Sequence, residues 1–218
     1  MSDKKKIAIV LSGNGVYDGS EIHETTLTML AIARKGASYE IFAPDISQAH
    51  VINHLTGQEM PETRNVLIES ARIARGEISN LKNYRPQNFD ALVFPGGFGA
   101  AKNLSTFAFD GANCTVNADV EQAVKKTVEA GKPIGAICIS PVVITKILKD
   151  VEVTIGNDSG TAGAIEAMGG KHKQTTHGEV VVDQKYKVFT TPCYMLDATI
   201  DQIDDGARNI IEAIFETF

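Results

Sequence analysis

Cysteine is scarce in this sequence: Cys114, Cys138 and Cys193 are three among 218 residues, and no two stand in a C-x-x-C spacing. An odd, sparse set argues against a disulfide framework, and the lack of close pairs argues against a structural zinc site. His50 and His54 lie four residues apart, but without neighbouring carboxylate or thiol partners they do not form a metal site. We therefore expect no bound metal and at least one free thiol.

Long apolar runs are also missing. No stretch approaches the ~20 apolar residues of a membrane-spanning helix. The run at 7–11 is too short for the apolar core of a signal peptide. These absences predict a cytoplasmic protein that has no membrane partner.

An excess of positive charge is absent as well. The chain has 21 Lys and Arg against 27 Asp and Glu, which gives a net charge of −6 and a pI of about 5.4. A negative global field repels phosphate backbones. The one basic run, Lys4 to Lys6, is typical of a solubilising lead-in to a first strand. We therefore predict no nucleic-acid partner.

Repeats, low-complexity tracts and tryptophan are lacking too. The 43% hydrophobic and 22% charged residues are typical of a globular protein. A chain of this length suits one domain, so we predict a single domain over residues 1–218. The stretch at 44–88 is longer than a simple crossover requires, and it predicts an insertion that covers the functional site.

Short apolar runs alternate with helical patterns along the chain. Runs typical of buried parallel strands cover 7–11, 39–43, 90–94 and 133–137. Helical patterns cover 20–36, 65–75, 120–130 and 201–218, and a hairpin or antiparallel edge is indicated at 179–191. This alternation predicts an α/β fold: a three-layer, doubly wound, mostly parallel sheet of the flavodoxin-like type.

The strongest local motif is Gly135-Ala-Ile-Cys138-Ile-Ser-Pro141, in which an apolar strand runs into a cysteine and then into a helix. A nucleophile at such a turn has a strained backbone and needs small residues two positions to either side, here Ala136 and Ser140. The helix N-terminus favours a thiolate and lowers the pKa of the thiol. We predict that Cys138 is a nucleophile with a lowered pKa; the alternative is a buried structural cysteine.

A second motif is Phe94-Pro-Gly-Gly-Phe-Gly-Ala100, which places glycines at the carboxyl end of a predicted strand. Open α/β sheets bind their ligands at that edge. One of these glycine amides, together with the amide of Ile139, would form an oxyanion hole. The alternative is an ordinary Pro-Gly turn.

The glycine-rich loop at 12–19 follows the first predicted strand, but its spacing, G-x-G-x-x-x-G, departs from the dinucleotide-binding pattern. Glu21 and Glu24 would also stand where a pyrophosphate has to bind. We therefore expect no nucleotide and no other cofactor. A protonated Glu24 would instead donate to the Cys138 thiolate and transfer a proton.

With these motifs in order, the chain resembles the ThiJ/PfpI superfamily, whose fold is like that of class I glutamine amidotransferases. The segments at 64–76, 98–105 and 113–116 resemble the ElbB-like subfamily, named for enhancing lycopene biosynthesis, and the resemblance runs nearly end to end. It implies that Glu24 is the family glutamate, Cys138 the nucleophile and Gly97 the oxyanion glycine. It also implies a homodimer and glyoxalase activity on small dicarbonyls without glutathione.

The sequence departs from the superfamily in one respect. Many members have a histidine about 20 residues after the cysteine, where this chain reads Thr154-Ile-Gly-Asn-Asp158. Asp158 and His177 are the candidates for the third member of a catalytic triad with Cys138 and Glu24, and His172 is the other nearby histidine. No His-x-Glu pair follows the cysteine, which argues against a glutaminase.

The resemblance thus implies a cofactor-independent glyoxalase or deglycase that acts on a small aldehyde or dicarbonyl substrate. Lys102, Arg64 and Arg72 are candidates to bind an anionic substrate, although each is also typical of a solvated surface. Two other functions stay open. One is a non-catalytic regulator that uses the cysteine as an oxidation sensor, and the other is an accessory protein of isoprenoid biosynthesis that acts through a partner.

Overall fold

The computed structural model describes residues 4–218. Within that range the strands are Lys6–Val10 (β1), Ser38–Ala43 (β2), Ile78–Asn80 (β3), Ala91–Phe94 (β4), Ile134–Ile137 (β5), Glu152–Val153 (β6), Lys171–His172 (β7), Val181–Asp183 (β8) and Val188–Thr191 (β9). The helices are Ile22–Arg34 (α1), Val66–Ile73 (α2), Phe98–Lys102 (α3), Phe107–Asp110 (α4), Ala118–Glu129 (α5), Pro141–Leu148 (α6), Ser159–Ala167 (α7) and Ile200–Phe215 (α8).

Seven strands form one sheet in the order β3-β2-β1-β4-β5-β9-β8, and β6 pairs with β7 in a separate parallel pair. Every neighbour in the large sheet is parallel except β8, which runs antiparallel to β9. The predicted mostly parallel α/β sheet with flanking helices is confirmed. The strand order reverses between β1 and β4, and open α/β sheets bind ligands at such a switch point.

The core lies on both faces of the central strands. All residues of β4 and β5 are buried, because helices cover each face of the sheet. Helices α1 and α8 pack against each other, and α5 packs against α6. With the strands fixed from both sides, the loops at their carboxyl ends start from rigid positions.

The segment at 44–88 differs from the predicted insertion. Its second half is a regular crossover through α2 to the edge strand β3. Its first half lies against the β1–α1 loop, where the Ile52 amide donates to Asp18 Oδ2 at 2.6 Å. No residue of this segment lines the cavity beside Cys138 that is described below, so the predicted cover over the site is not found.

Helix α7 and the pair β6–β7 were not predicted from the sequence. The sequence of α7, Ser159-Gly-Thr-Ala-Gly-Ala-Ile-Glu-Ala, is rich in small residues and buries only Ile165, so it lacks the apolar stripe that indicates a helix. None of the helices in residues 4–218 has the length and apolarity needed to span a lipid bilayer. The same residues contain no group of three His, Cys, Asp or Glu side chains arranged to hold a metal ion.

Candidate active site

Cys138 lies at a sharp turn between β5 and α6, as predicted. Its backbone is left-handed, with φ of 62°, a conformation that costs free energy for a residue other than glycine. The turn is held in place because the Cys138 amide donates to Thr191 O of β9 at 3.0 Å. Pro141 is the first residue of α6, where its missing N–H is not needed.

A buried hydrogen bond joins this turn to the glycine loop after β4. Ser140 Oγ donates to Pro95 O at 2.7 Å. Ser140 is thus not only the small residue that the turn requires. Its hydrogen bond also fixes the distance between Cys138 and the loop at 95–97.

Glu24 reaches the site from the first turn of α1 and is completely buried. Its Oε2 accepts a hydrogen bond from the Gly96 amide at 3.0 Å, and its Oε1 accepts one from the Tyr194 amide at 3.1 Å. Glu21 caps the helix by accepting from the Glu24 amide at 2.6 Å. Both oxygens of the Glu24 carboxyl group are thus held by backbone donors.

Glycine is the one residue that fits at position 96. A Cβ there would lie 2.8 Å from Cys138 Sγ and would collide with Cys138 Cβ and Glu24 Oε2. The thiol and the carboxyl group therefore lie against the same backbone atom, and each shifts the pKa of the other. Sequence analysis did not single out Gly96.

The predicted lowering of the Cys138 pKa is wrong. Burial, and then the negative charge of Glu24, raise the pKa of the Cys138 thiol well above its ordinary value, while the Gly97 amide lowers it by a smaller amount. Burial, and then the charge of Glu21, also raise the pKa of Glu24 from 4.5 to about 8. The lowering of the thiol pKa by the helix N-terminus is outweighed, because the sulfur is removed from water and lies beside a carboxyl group.

The two backbone amides that were predicted as oxyanion donors, those of Gly97 and Ile139, both lie beside Cys138. The Gly97 N–H lies close enough to the Cys138 sulfur to lower the pKa of the thiol, and Gly97 has a positive φ of 99° where a Cβ would collide with Gly19 and Glu21. Ile139 lines the same cavity as Cys138. Within residues 4–218 its amide, unlike that of Ser140, has no hydrogen-bond acceptor, so it is free to donate to a bound ligand.

Tyr194 was missed by sequence analysis. Besides its amide bond to Glu24, its phenol oxygen lies 2.9 Å from His23 Nδ1, and the residue lines the cavity. A signal was available: Pro192-Cys-Tyr follows β9 directly, so it lies at the same sheet edge as the loops after β4 and β5.

The two candidate third members differ in position. Asp158 lines the cavity, but its Oδ1 accepts from the Thr161 amide at 2.7 Å as the cap of α7. The hydrogen bonds from Thr161 lower the pKa of Asp158. His177 is exposed in the β7–β8 loop and does not line the cavity. The structure therefore does not bring His177 together with Cys138 and Glu24.

The cations considered for an anionic substrate are engaged elsewhere. Lys102 donates to Tyr17 O at 2.8 Å. Arg64 pairs with Glu62 at 3.1 Å, and Arg72 pairs with Glu69 at 2.9 Å. None of the three lines the cavity beside Cys138.

That cavity has a volume of about 360 Å³. Its floor is formed by Cys138, Gly97 and Ile139, and its walls include Phe98 and Phe107. A buried thiol with an adjacent carboxyl group and two neighbouring backbone amides thus lines a partly open cavity. This arrangement suits covalent attack on a carbonyl carbon and transfer of a proton.

Comparison with known proteins agrees with this geometry. The sequence model of the DJ-1/PfpI family matches residues 5–195. The human "Glutamine amidotransferase-like class 1 domain-containing protein 3, mitochondrial" is 51% identical over 221 residues, covering 97% of this chain and 82% of that protein. The zebrafish (Danio rerio) "ES1 protein, mitochondrial" is 37% identical over 227 residues, covering 95% and 84%.

Solved structures show the same fold. An "isoprenoid biosynthesis protein with amidotransferase-like domain" from Ehrlichia chaffeensis superposes with a TM-score of 0.91 at 37% identity, covering 98% of this chain and 100% of that one. Glyoxalase III from Candida albicans superposes with a TM-score of 0.64 at 14% identity, covering 96% and 97%. At 14% identity, the likeness to the Candida albicans protein shows only that the two proteins share a fold.

These relatives correct the predicted location. The human, rat (Rattus norvegicus) and zebrafish proteins are all named mitochondrial, so the prediction of a cytoplasmic protein is wrong. That prediction rested on the absence of a long apolar run, which addresses secretion and membrane insertion but not import into an organelle.

Proposed function

Because this chain belongs to the DJ-1/PfpI family, we propose that it is a cofactor-independent glyoxalase-type enzyme that uses Cys138 on small dicarbonyls. The observation behind this proposal is that Cys138 and Glu24 lie together against Gly96, beside a partly open cavity that Cys138 lines. The raised pKa of Glu24, about 8, suits a group that must both accept and donate a proton near neutral pH.

The reactive form of the site is the Cys138–Glu24 pair with one proton between them. The Glu24 carboxylate lies beside the thiol against Gly96, so Glu24 takes the thiol proton as the sulfur attacks the aldehyde carbon. A C–S bond forms while the C=O π bond breaks, and the electron pair moves to oxygen. The N–H groups of Gly97 and Ile139 stabilise that oxyanion.

Glu24 then completes an isomerisation. Its carboxylic acid protonates the oxyanion, which gives a neutral hemithioacetal and leaves Glu24 as a carboxylate. The carboxylate removes the hydrogen of the sulfur-bearing carbon, which the neighbouring ketone makes acidic, and returns it to the ketone carbon. The hydroxyl proton passes between the two oxygens, so a 2-hydroxy thioester forms without any redox partner.

Water closes the cycle. It adds to the thioester carbonyl, the C–S bond breaks, and the sulfur recovers a proton as the 2-hydroxy acid forms. The sum is one 2-oxoaldehyde plus one water giving one 2-hydroxy acid. A deglycase activity would use the same addition on an aldehyde-derived adduct.

Turnover of methylglyoxal to lactate by Cys138→Ser and Glu24→Gln variants tests this function. We expect Cys138→Ser to lose about three orders of magnitude or more in kcat/KM. Glu24→Gln should lose about 10²–10⁴-fold, the usual range for a general acid–base catalyst. Wild-type turnover that both variants retain would refute the proposal.

An accessory role in isoprenoid biosynthesis is the second candidate. It is supported by the description of the Ehrlichia chaffeensis protein and by the ElbB-like resemblance, which stays a prediction. A pull-down with quantified stoichiometry tests it. The oxidation-sensor alternative is disfavoured, because a raised pKa of Cys138 reduces the thiolate that reacts with peroxide.

We also propose a homodimer, which the family resemblance implies. Sedimentation equilibrium would then give twice the chain mass of 23.4 kDa. A mass of one chain at micromolar concentration would contradict it.

A further inference from the structure

The cavity above Cys138 is more apolar than the smallest dicarbonyls require. Its walls come from four separate segments: Val16 after β1, Phe98 of α3, Phe107 of α4 and Met195 after β9. Glyoxal and methylglyoxal have no side chain, or a single methyl group, to place against such walls. Apolar walls with a few polar groups at one point are typical of sites that bind apolar ligands.

The size of the cavity supports the same reading. A volume of about 360 Å³ lies at the lower end of the roughly 300–1,000 Å³ that encloses drug-sized ligands. One water molecule takes about 30 Å³ of liquid volume, so glyoxal or methylglyoxal, with about four or five heavy atoms, would leave much of this space filled by solvent. A phenyl or branched aliphatic side chain would displace that solvent from the walls.

Charge in the cavity disfavours an anionic substrate. Among the described residues that line it, none is Lys, Arg or His. Asp158 is the charged residue in the lining, and it is a carboxylate that caps α7. The nearby ammonium of Lys102 lies 5.5 Å from the Phe98 ring centroid and donates to Tyr17 O, so it is directed away from a ligand. A substrate carboxylate or phosphate would meet like charge and no counter-ion.

The Phe98 ring also has apolar surface that no other side chain covers. It is 48% exposed although it follows Gly97 directly. Apolar and aromatic side chains that line a concave site provide contact surface for a ligand. A ligand held at Cys138 would cover this ring.

We propose that the site selects neutral 2-oxoaldehydes with an apolar aryl or branched aliphatic side chain over glyoxal, methylglyoxal and carboxylate-bearing analogues. This inference rests on the proposed function for its chemistry. The 2-hydroxy acid product is an anion, which the same cavity binds poorly, so hydrolysis favours product release. Each extra buried methylene should raise kcat/KM about fourfold.

The first experiment compares kcat/KM for phenylglyoxal, 2-oxohexanal, methylglyoxal and 4,5-dioxopentanoate. We expect phenylglyoxal and 2-oxohexanal to exceed methylglyoxal by at least about tenfold, and 4,5-dioxopentanoate to be the poorest substrate. Equal values for the neutral compounds, or a preference for the anion, would overturn the inference while leaving the proposed function intact.

A matched pair of variants locates the effect. Phe107→Ala removes an apolar wall and should lower the ratio of phenylglyoxal to methylglyoxal kcat/KM about tenfold. Phe109→Ala is the control, because Phe109 lies on the same short helix but is 51% exposed and outside the cavity lining. Equal ratios in both variants would contradict the assignment of Phe107.

A labelling experiment separates the two proposals if turnover is absent. The rates of Cys138 alkylation by 2-bromoacetophenone and bromoacetone are measured, each divided by the rate with free cysteine. We expect the aryl reagent to be favoured about tenfold in the wild type and in Phe109→Ala, but not in Phe107→Ala. If the protein shows no turnover but keeps this preference for the aryl reagent, the glyoxalase proposal fails and the apolar selectivity of the cavity is supported. If the wild type shows no preference for the aryl reagent, the inference of apolar selectivity fails.

Discussion

The Glu24 carboxyl group and the Cys138 thiol lie together against Gly96, although they come from α1 and from the end of β5. Both groups are buried, and burial raises the pKa of each. The charge of Glu24 raises the pKa of the thiol further, whereas the thiol lowers the pKa of Glu24 by a smaller amount than burial raises it. The site therefore keeps a proton where carbonyl chemistry needs one, at the cost of burying two ionisable groups.

Substitution of Gly96 should separate these two groups. In Gly96→Ala the new Cβ meets both Cys138 and Glu24 Oε2, so we expect a loss of about 1–3 kcal/mol in the free energy of unfolding and at least about a hundredfold in kcat/KM. Urea denaturation and steady-state kinetics measure the two effects.

The matched control is Gly163→Ala in α7. A Cβ at Gly163 meets no atom within 4 Å, and alanine at such a helical position should stabilise by about 0.4–1 kcal/mol. Activity should not change. If Gly96→Ala behaved like Gly163→Ala, the close contact at the site would be wrong.

Glu24→Gln should stabilise the protein more at pH 8 than at pH 5. The pKa of Glu24 is raised from 4.5 to about 8 in the folded chain, so its stabilising contribution is complete below pH 4.5 and is lost as pH rises to about 8. Between pH 5 and pH 8 the wild type should lose about 3 kcal/mol relative to the variant. That corresponds to roughly 6–12 °C in the difference of Tm.

Differential scanning fluorimetry at the two pH values checks this linkage. Glutamine cannot accept hydrogen bonds with both ends of its side chain, and the stability lost in this way does not depend on pH. It therefore cancels when the Tm difference between variant and wild type is compared at two pH values. A Tm difference that did not change with pH would show that Glu24 titrates in the folded chain as it does in water.

Ser140→Ala should loosen the turn that presents the sulfur. It removes the bond to Pro95 O and should cost about 1–3 kcal/mol of stability together with about tenfold in kcat. Thr127→Val removes a buried hydroxyl on α5 that is bonded to Ala123 O at 2.7 Å and to the Tyr84 hydroxyl at 2.8 Å, so its cost in stability is at least as large as that of Ser140→Ala. It should not lower kcat; equal losses of kcat in both variants would argue against a positioning role.

His177 and Asp158, the two candidates for the third member of a catalytic triad, should prove dispensable for activity. His177→Ala removes an exposed side chain outside the cavity lining, so kcat/KM for methylglyoxal should stay within about twofold. Asp158→Asn keeps an acceptor for the Thr161 amide and should retain activity within about threefold. A loss of a hundredfold or more in either variant would assign that residue a catalytic role.

Local features of the sequence were sufficient to predict the central motif. A strand that runs into Cys138 and a helix that starts at Pro141 are specified by a few adjacent residues, and the backbone follows them closely. The alternation of strands and helices likewise predicted the sheet, because strands buried on both faces are apolar throughout.

Long-range packing explains what the sequence could not predict. The direction of the Cys138 pKa depends on how completely α1 and the loops after β4 and β9 enclose the sulfur, and Glu24 and Tyr194 reach the site from distant parts of the chain. The helix-dipole argument used only neighbours along the chain, and it therefore gave the wrong sign. The segment at 44–88 failed as a predicted cover for the same reason: its length indicated an excursion but not the face on which it packs.

The most direct test of the account is the pH dependence of Cys138 alkylation by iodoacetamide, with the labelled residue identified by mass spectrometry because all three cysteines are buried. We predict a wild-type inflection above the ordinary thiol value of about 8.5, a shift to lower pH in Glu24→Gln, and no shift in the control Glu21→Gln. An inflection below neutral pH in the wild type, or the same inflection in wild type and Glu24→Gln, would contradict the shared proton on which the proposed chemistry depends.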